Sequence, residues 1–479
     1  MSETLKSKFF TGVMWTFVQN IGLRLLSFAF TVILTRLLTP EEFGLIGMLS
    51  IFISISLVFI SSGFADALVQ KSDCNAEDFS TAFYFNLGVS ILFYLILFFS
   101  APLIADFYHE PQLCILTRVL SLNFVLGSLN IVQRAKLAKE LNFKPIAIVT
   151  VAGTLFSGAL GVFLAYNGYG VWALVAQTIS STFIGVVLFP FFSRWKPSRS
   201  FNIVSLKYLW NYGSKILATA LLEVVVSNIS NILIGRFYNK KQVGYFSRAH
   251  AMAEIPAGTI FSVLYSVTFP ILCECQQDIS HQLSVYKRIL FNTVLIVCPI
   301  IILLALLAKP LVVILFTEKW IACVPLLQAL LLARMFLPIG ATYNGLLRSR
   351  GNTSLFMKLY FVTGPMTLIG IIVSIPFGVE AMAWVTFFCA VVSFIIQSFV
   401  VGRYSDYSFI NQLKDWRMIG LSLLIMIICI IVVLQLITNM LLQVIVASFL
   451  GLTIYLVCCY IFKLIDHELI NMVIKRLKK

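Results

Sequence analysis

Thr35–Gly47 reads TRLLTPEEFGLIG, and Gly235–Ser247 reads GRFYNKKQVGYFS. Arg36 falls on Arg236 and Gly44 on Gly244, both at a spacing of 200 residues. Each segment closes one long apolar run and opens the next, so the repeated element is a turn between two membrane-length helices. Further on, VQRAKLAKELNF (Val132–Phe143) and LLRSRGNTSLF (Leu346–Phe356) each supply a basic loop after the fourth run of their half. Arg118 and Arg334 stand near the start of those fourth runs. Features recurring in the same order predict a duplicated six-helix unit.

The composition agrees with helices that face lipid. Of 479 residues, 60% are hydrophobic and 11% charged, and the mean hydropathy is +0.96. A soluble domain of this size has to present more polar surface than that. Apolar runs of about 20 residues cross a hydrocarbon core of about 30 Å, and the chain offers about fourteen of them. The reading is therefore an all-α integral membrane protein. An even number of spans per unit makes the second copy enter from the same side as the first, which gives parallel repeats about an axis along the membrane normal. The expected domains are six-helix bundles at 1–200 and 201–405. An accessory two-helix hairpin with a basic tail follows at 406–479, after the polar linker GRYSDYSFINQLKDWR (Gly402–Arg417).

A net charge of +15 would suit a nucleic-acid partner if it were clustered. Instead most of the 35 Lys and Arg fall on alternate loops, among them Lys136, Lys139, Lys196, Arg288, Arg348, Arg403, Lys475 and Arg476. The opposite side keeps Arg36, Arg236, Lys240, Lys241, Lys309 and Lys319. Basic loops mark the cytoplasmic face, so both termini are expected there. The charge is topological, and no nucleic acid is implied.

A few charges lie inside the runs: Arg24, Arg118, Lys215, Arg248 and Arg334, with Asp66, Glu223 and Glu254. Arg24 is about a dozen residues from either end of its run, where a charge costs about 2.5–3.5 kcal/mol and usually marks a pathway. It belongs to a stripe of Thr16, Asn20, Arg24, Ser27, Thr31 and Thr35, whose spacings of three and four keep it on one helix face. The seventh run repeats the design with Lys215, Thr219, Glu223, Ser227 and Asn231. Arg118 and Arg334, nearer span ends, suit snorkelling to the interface. Arg248, His250 and Glu254 open the eighth run, and the last two, one turn apart, also suit a plain structural pair.

Ten cysteines scatter without ligand spacing, and Cys273-Glu274-Cys275 is one residue short of a Cys-x-x-Cys pair. No phosphate-cradling glycine loop, metal cluster or nucleophile triad stands in the sequence, so no catalytic residue, cofactor or metal is assigned. No loop between runs is long enough for a catalytic domain, which disfavours a membrane glycosyltransferase or polymerase.

SGFADALVQK (Ser62–Lys71), APLIADFYHEP (Ala101–Pro111), AKELNFKPIAI (Ala138–Ile148) and GYGVWALVAQ (Gly168–Gln177) resemble segments of Wzx-type polysaccharide flippases. The likeness is to the colanic-acid-exporter branch of the multidrug/oligosaccharidyl-lipid/polysaccharide superfamily. It implies two six-helix bundles, two extra C-terminal helices and a bacterial inner-membrane location. It also implies transport of undecaprenyl-diphosphate-linked oligosaccharide between leaflets, beside a polysaccharide polymerase and chain-length machinery. Arg24 and Lys215 would then receive the diphosphate, and Asn20, Ser27, Thr31 and Thr219 would line a hydrated path. Glu223, Arg248, His250, Glu254 and Asp66 would serve coupling or gating. A cation-coupled multidrug exporter of the same superfamily is the competing reading, but it needs an acid-dominated cavity.

Overall fold

The computed structural model describes residues 22–61, Leu68 and residues 74–464. Asn20 and Asp66 lie outside the described residues, as do the side chains of Lys215, Thr219 and Glu223. Every regular element among the described residues is a helix. In lipid, backbone amides have no water to bond, so long apolar segments satisfy them internally.

The helices are α1 (22–37), α2 (Pro40–Ser61), α3 (Ala76–Tyr108), α4 (Gln112–Lys139), α5 (Phe143–Tyr166), α6 (Val171–Ser193), α7 (Ile203–Phe237) and α8 (Lys240–Glu274). There follow α9 (Ile279–Leu306), α10 (Ala308–Phe316), α11 (Cys323–Arg334), α12 (Phe336–Ser349), α13 (Thr353–Ser374), α14 (Val379–Tyr404), α15 (Phe409–Leu436) and α16 (Met440–Ile461). Among the described residues twelve candidate spans are long and apolar enough to cross a membrane. Helix α1, described from Gly22, and α7, with its shorter apolar stretch Val224–Phe237, stand where the sequence expects the first and seventh spans.

Helix boundaries follow local chemistry. Asn75 and Asp78 form a reciprocal capping box at the start of α3, closing two orphan donors at once. Asn202, Asn352, Ser408 and Asn439 cap α7, α13, α15 and α16 more simply, each side chain accepting from backbone amides of the first turn. Asp278 caps α9, and bonds from the His281 amide and the Ser280 hydroxyl hold its carboxyl below the usual range.

The tenth span departs from the single helix that the sequence suggests. It breaks at Met335 into α11 and α12. Pro338 has no amide to donate to the Arg334 carbonyl, and its ring crowds that carbonyl. The break leaves Arg334 as the last residue of α11.

The chain forms two compact units, one running to Gly244 and the other from Tyr245. In the first, α3 packs on α4, α4 on α6 and α5 on α6, while α7 lies against α2 and α3. In the second, α9 packs on α11 and α12, these two on α14, and α13 on α14. The order of pairings in the third to sixth spans thus recurs in the ninth to twelfth.

The hairpin α15–α16 leans on α9. Met426, Ile430 and Val433 pack with Ala447, Tyr455 and Cys459, beside Leu303 of α9. Lipid tails are as apolar as these side chains, so close contact rather than escape from water holds the helices together. Gly451 allows it, since Ile430 would stand 2.9 Å from a Cβ there. Buried Gln412 fastens the linker: its Oε1 accepts from Tyr343 and Ser398 at 2.8 and 2.7 Å, and its Nε2 donates to the Tyr407 carbonyl at 3.0 Å.

Candidate functional site

Helix α1 carries the predicted polar stripe from Arg24 onward. Arg24 and Ser27 are exposed, Thr31 is partly buried and Thr35 is buried, its hydroxyl donating to the Thr31 carbonyl at 2.6 Å. Phe30, on another face, fills the space at Gly158 of α5. An apolar face thus holds α1 in the first unit while the guanidinium stays accessible.

On α7 the described part of the matching stripe divides. Ser227 is exposed. Asn231 turns to α2, donating to the Ser50 hydroxyl at 3.2 Å, and Ser50 donates in turn to Asn228 Oδ1 at 3.0 Å. Asn231 therefore clasps two helices rather than extending an open polar face. Lys215, Thr219 and Glu223, the remaining members, lie outside the described side chains.

The quoted repeat supplies the tightest helix crossing. A Cβ on Gly44 would overlap the carbonyl oxygen of Lys240, and a Cβ on Gly244 would overlap that of Pro40. Each contact maps onto the other under the spacing of 200 residues. Only glycine lets backbone approach backbone this closely. Around this crossing the α1–α2, α3–α4 and α7–α8 turns are tied together. Lys240 pairs with Glu110 at 2.9 Å and Lys241 with Glu41 at 3.7 Å. Arg236 donates to the Phe107 carbonyl at 2.6 Å, lies 2.8 Å from His109 and sits over the Phe107 ring. Tyr108 donates to the Met48 carbonyl at 3.2 Å and covers Gly235. The sequence reading treats these cations as topology markers and misses the cluster. The signal that could have found it is the juxtaposition of APLIADFYHEP with the repeated turn.

In the second unit, His250 and Glu254 of α8 meet Arg334 at the end of α11. Arg334 Nη2 lies 2.8 Å from His250 Nε2 and 3.0 Å from a Glu254 oxygen. Arg334 and Glu254 side chains are 28% and 44% exposed, so this pair is not sealed within the core. Phe246 stacks on the His250 ring. A guanidinium only donates, so His250 must present an unprotonated Nε2 to keep this contact. Proton uptake there would break it and set two cations face to face. The expected His250–Glu254 pair therefore includes a third member. Arg334 reaches these side chains instead of snorkelling to the interface. Arg248, two residues before His250, is partly buried. Arg118, the counterpart of Arg334 in the first half, donates to the Phe98 carbonyl at 3.3 Å and lies over the Phe98 ring.

Among the described residues no group of three or more His, Cys, Asp or Glu is placed to hold a metal ion. The ten cysteines form no disulfide among the described residues.

Long helices in duplicated order, with charges set at a helix break and at a glycine crossing, define a multi-pass helical membrane fold. Among solved structures the fold is similar to the inward closed conformation of the lipid II flippase MurJ, with a TM-score of 0.76 at 16% identity over 94% of this chain and 98% of that one. An inward-facing multidrug resistance MATE family transporter of the MOP superfamily aligns with a TM-score of 0.62 at 15% identity, covering 81% and 96%. Residues 33–325 match the profile of the family described as polysaccharide biosynthesis protein, and the chain belongs to that family. Its relatives include the teichuronic acid biosynthesis protein TuaB of Bacillus subtilis, 24% identical over 84% of this chain and 83% of that protein. The succinoglycan biosynthesis transport protein ExoT of Rhizobium meliloti is 25% identical, covering 86% and 84%. The lipopolysaccharide biosynthesis protein WzxC of Escherichia coli is 22% identical, covering 74% and 73%.

Proposed function

We propose that this protein moves undecaprenyl-diphosphate-linked oligosaccharide repeat units from the inner to the outer leaflet of a bacterial plasma membrane by alternating access. The observation that carries this reading is the set of relatives. Teichuronic acid, succinoglycan and lipopolysaccharide differ in their sugars, yet proteins named for all three share most of this chain's length. What such pathways hold in common is the lipid carrier and the need to bring a finished unit across the membrane.

In this reading 1–200 and 201–405 are the two moving halves and 406–479 the accessory hairpin, with both termini cytoplasmic. Arg24 and Lys215 receive the diphosphate, since a guanidinium fork matches phosphate oxygens bidentately and strengthens in a low dielectric. Asn20, Ser27, Thr31 and Thr219 line the path of the glycan. The Gly44–Gly244 crossing, with its ion pairs, closes the outward end. The His250–Arg334–Glu254 trio, with Arg248, Glu223 and Asp66, couples transport to protons or another cation. The protein's partners are the enzymes that build the lipid-linked unit and the polymerase that consumes it. The multidrug-exporter reading shares only the fold.

Deleting the protein in its host should deplete surface polysaccharide and accumulate lipid-linked repeat units. Unchanged levels of both would remove the reading.

A further inference from the structure

The second unit contains a cavity of about 770 Å³ between α9 and the C-terminal end of α16, and none of the Arg334 trio lines it. On α9 it is lined at every third or fourth residue, from Arg288 through Asn292, Leu295, Ile296 and Pro299 to Ile300. From Arg288 to Ile300 that stripe rises twelve steps, or about 18 Å at 1.5 Å each. One leaflet of a hydrocarbon core of about 30 Å is close to the same depth. The polar groups gather at one end: Arg288 and Asn292 on α9, with Lys463 just past α16. The remainder is apolar.

Lys463 occupies this mouth at a conformational cost. Its φ is 55°, the left-handed position after a helix that glycine usually fills. The amides of Lys463 and Leu464 bond back to the carbonyls of Tyr460 and Cys459, which fixes the chain there. The Tyr455 hydroxyl is committed to the Leu295 carbonyl at 2.8 Å, so the cavity floor adds no free polar group of its own.

We propose that this cavity is a binding site for an anionic glycerophospholipid, its phosphate held by Arg288, Lys463 and Asn292 and one acyl chain lying along α9 toward Ile300. Basic pockets between membrane helices select such headgroups. The occupant is a resident bilayer lipid that braces the hairpin α15–α16 against α9, distinct from the transported lipid. Only the leaflet, the cytoplasmic one, rests on the orientation proposed above.

The test uses the full-length protein, purified in neutral detergent and stripped of lipid. Phosphatidylglycerol and phosphatidylcholine with identical chains are titrated, and bound lipid is counted by native mass spectrometry. Each cation near the phosphate is worth about 1 kcal/mol, or roughly fivefold, so the pair predicts about a 30-fold preference for phosphatidylglycerol at low salt. Arg288→Gln with Lys463→Gln should bring the two lipids to equal affinity, with phosphatidylglycerol losing the more. Ile296→Trp, which fills the middle of the groove, should weaken both lipids. Equal binding of the two lipids by the wild type, or a preference that survives the double substitution, overturns the proposal. So does displacement of phosphatidylglycerol by equimolar undecaprenyl phosphate, which would assign the groove to the transported lipid. The readout needs no transport, so a chain inactive as a flippase that still selects the lipid would sink the transport reading alone.

Discussion

Gly244→Ala offers the sharpest perturbation of the Gly44–Gly244 crossing, the end proposed above to face outward. The added Cβ would overlap the Pro40 carbonyl oxygen, and the obstruction is backbone, which cannot rotate aside as a side chain would. The helices must part, and forced overpacking of this kind typically costs about 1–3 kcal/mol. Parting them also stretches the Lys240–Glu110 and Lys241–Glu41 pairs, whose side chains are 32%/22% and 53%/37% exposed. Partly exposed pairs contribute only about 0.2–1 kcal/mol each, so steric overlap dominates. A bias of 1–3 kcal/mol shifts the closed-to-open ratio roughly 5- to 150-fold. Spin labels at Leu37 and Phe237, both exposed and related by the repeat, report it as a distance distribution on a cysteine-free background. The wild type should show one dominant short component, and Gly244→Ala a longer one with reduced transport. Gly88→Ala is the control, because a Cβ there meets nothing within 4 Å. A Gly244→Ala protein with the wild-type distribution and wild-type transport would refute the steric reasoning.

Arg24→Ala should abolish polysaccharide export at native expression, whereas Arg24→Lys should keep part of it, charge without the fork; surface polysaccharide in the two strains decides between them. His250→Gln keeps a group able to accept from Arg334 but cannot titrate, so flipping in vesicles should lose the pH dependence that the wild type shows. A pH profile identical to the wild type would remove His250 from coupling. Moving a diphosphate with about two negative charges outward through 100 mV, interior negative, is downhill by about 4–5 kcal/mol, so an inside-negative potential should accelerate flipping. Rates indifferent to potential would exclude net charge movement. Cysteine labelling should find Asn142 cytoplasmic and Asn239 outside; labelling of both from one face would contradict the span count between them.

The architecture was legible because membrane helices announce themselves by length and apolarity, and because the repeated turn kept its glycine. Gly44 and Gly244 could be aligned from letters alone, but that each sits on the other repeat's backbone could not. Pro338 could have warned of the break at Met335, since a missing amide is a local property; amid so much apolar sequence it reads as one more tolerated proline. Arg334 was harder. Its nearest acid in space, Glu254, is 80 residues away in sequence, and no periodicity links helices whose contact depends on how they pack. Asn231 shows a second limit: regular spacing put it on a polar stripe, but the letters could not say that its amide meets Ser50. Spacing identifies a helix face, and only the neighbouring helix decides what that face meets.

The crossing at Gly44 and Gly244 is isologous, the kind of contact that two identical subunits make about a two-fold axis, with residue i touching j while the equivalent of j touches the equivalent of i. Here both sides are written into one polypeptide. Such a contact is self-limiting: its two arms satisfy each other and leave no matching surface for a third copy. It also restricts how that end comes apart. A hinge that lifts Gly44 from Lys240 while leaving Gly244 on Pro40 would destroy the equivalence of the arms, whereas rotation about the axis separates both by the same amount. In the proposed transport cycle, opening by such a rotation gives up both contacts together, so the crossing would behave as a latch with two positions and no stable half-open stop.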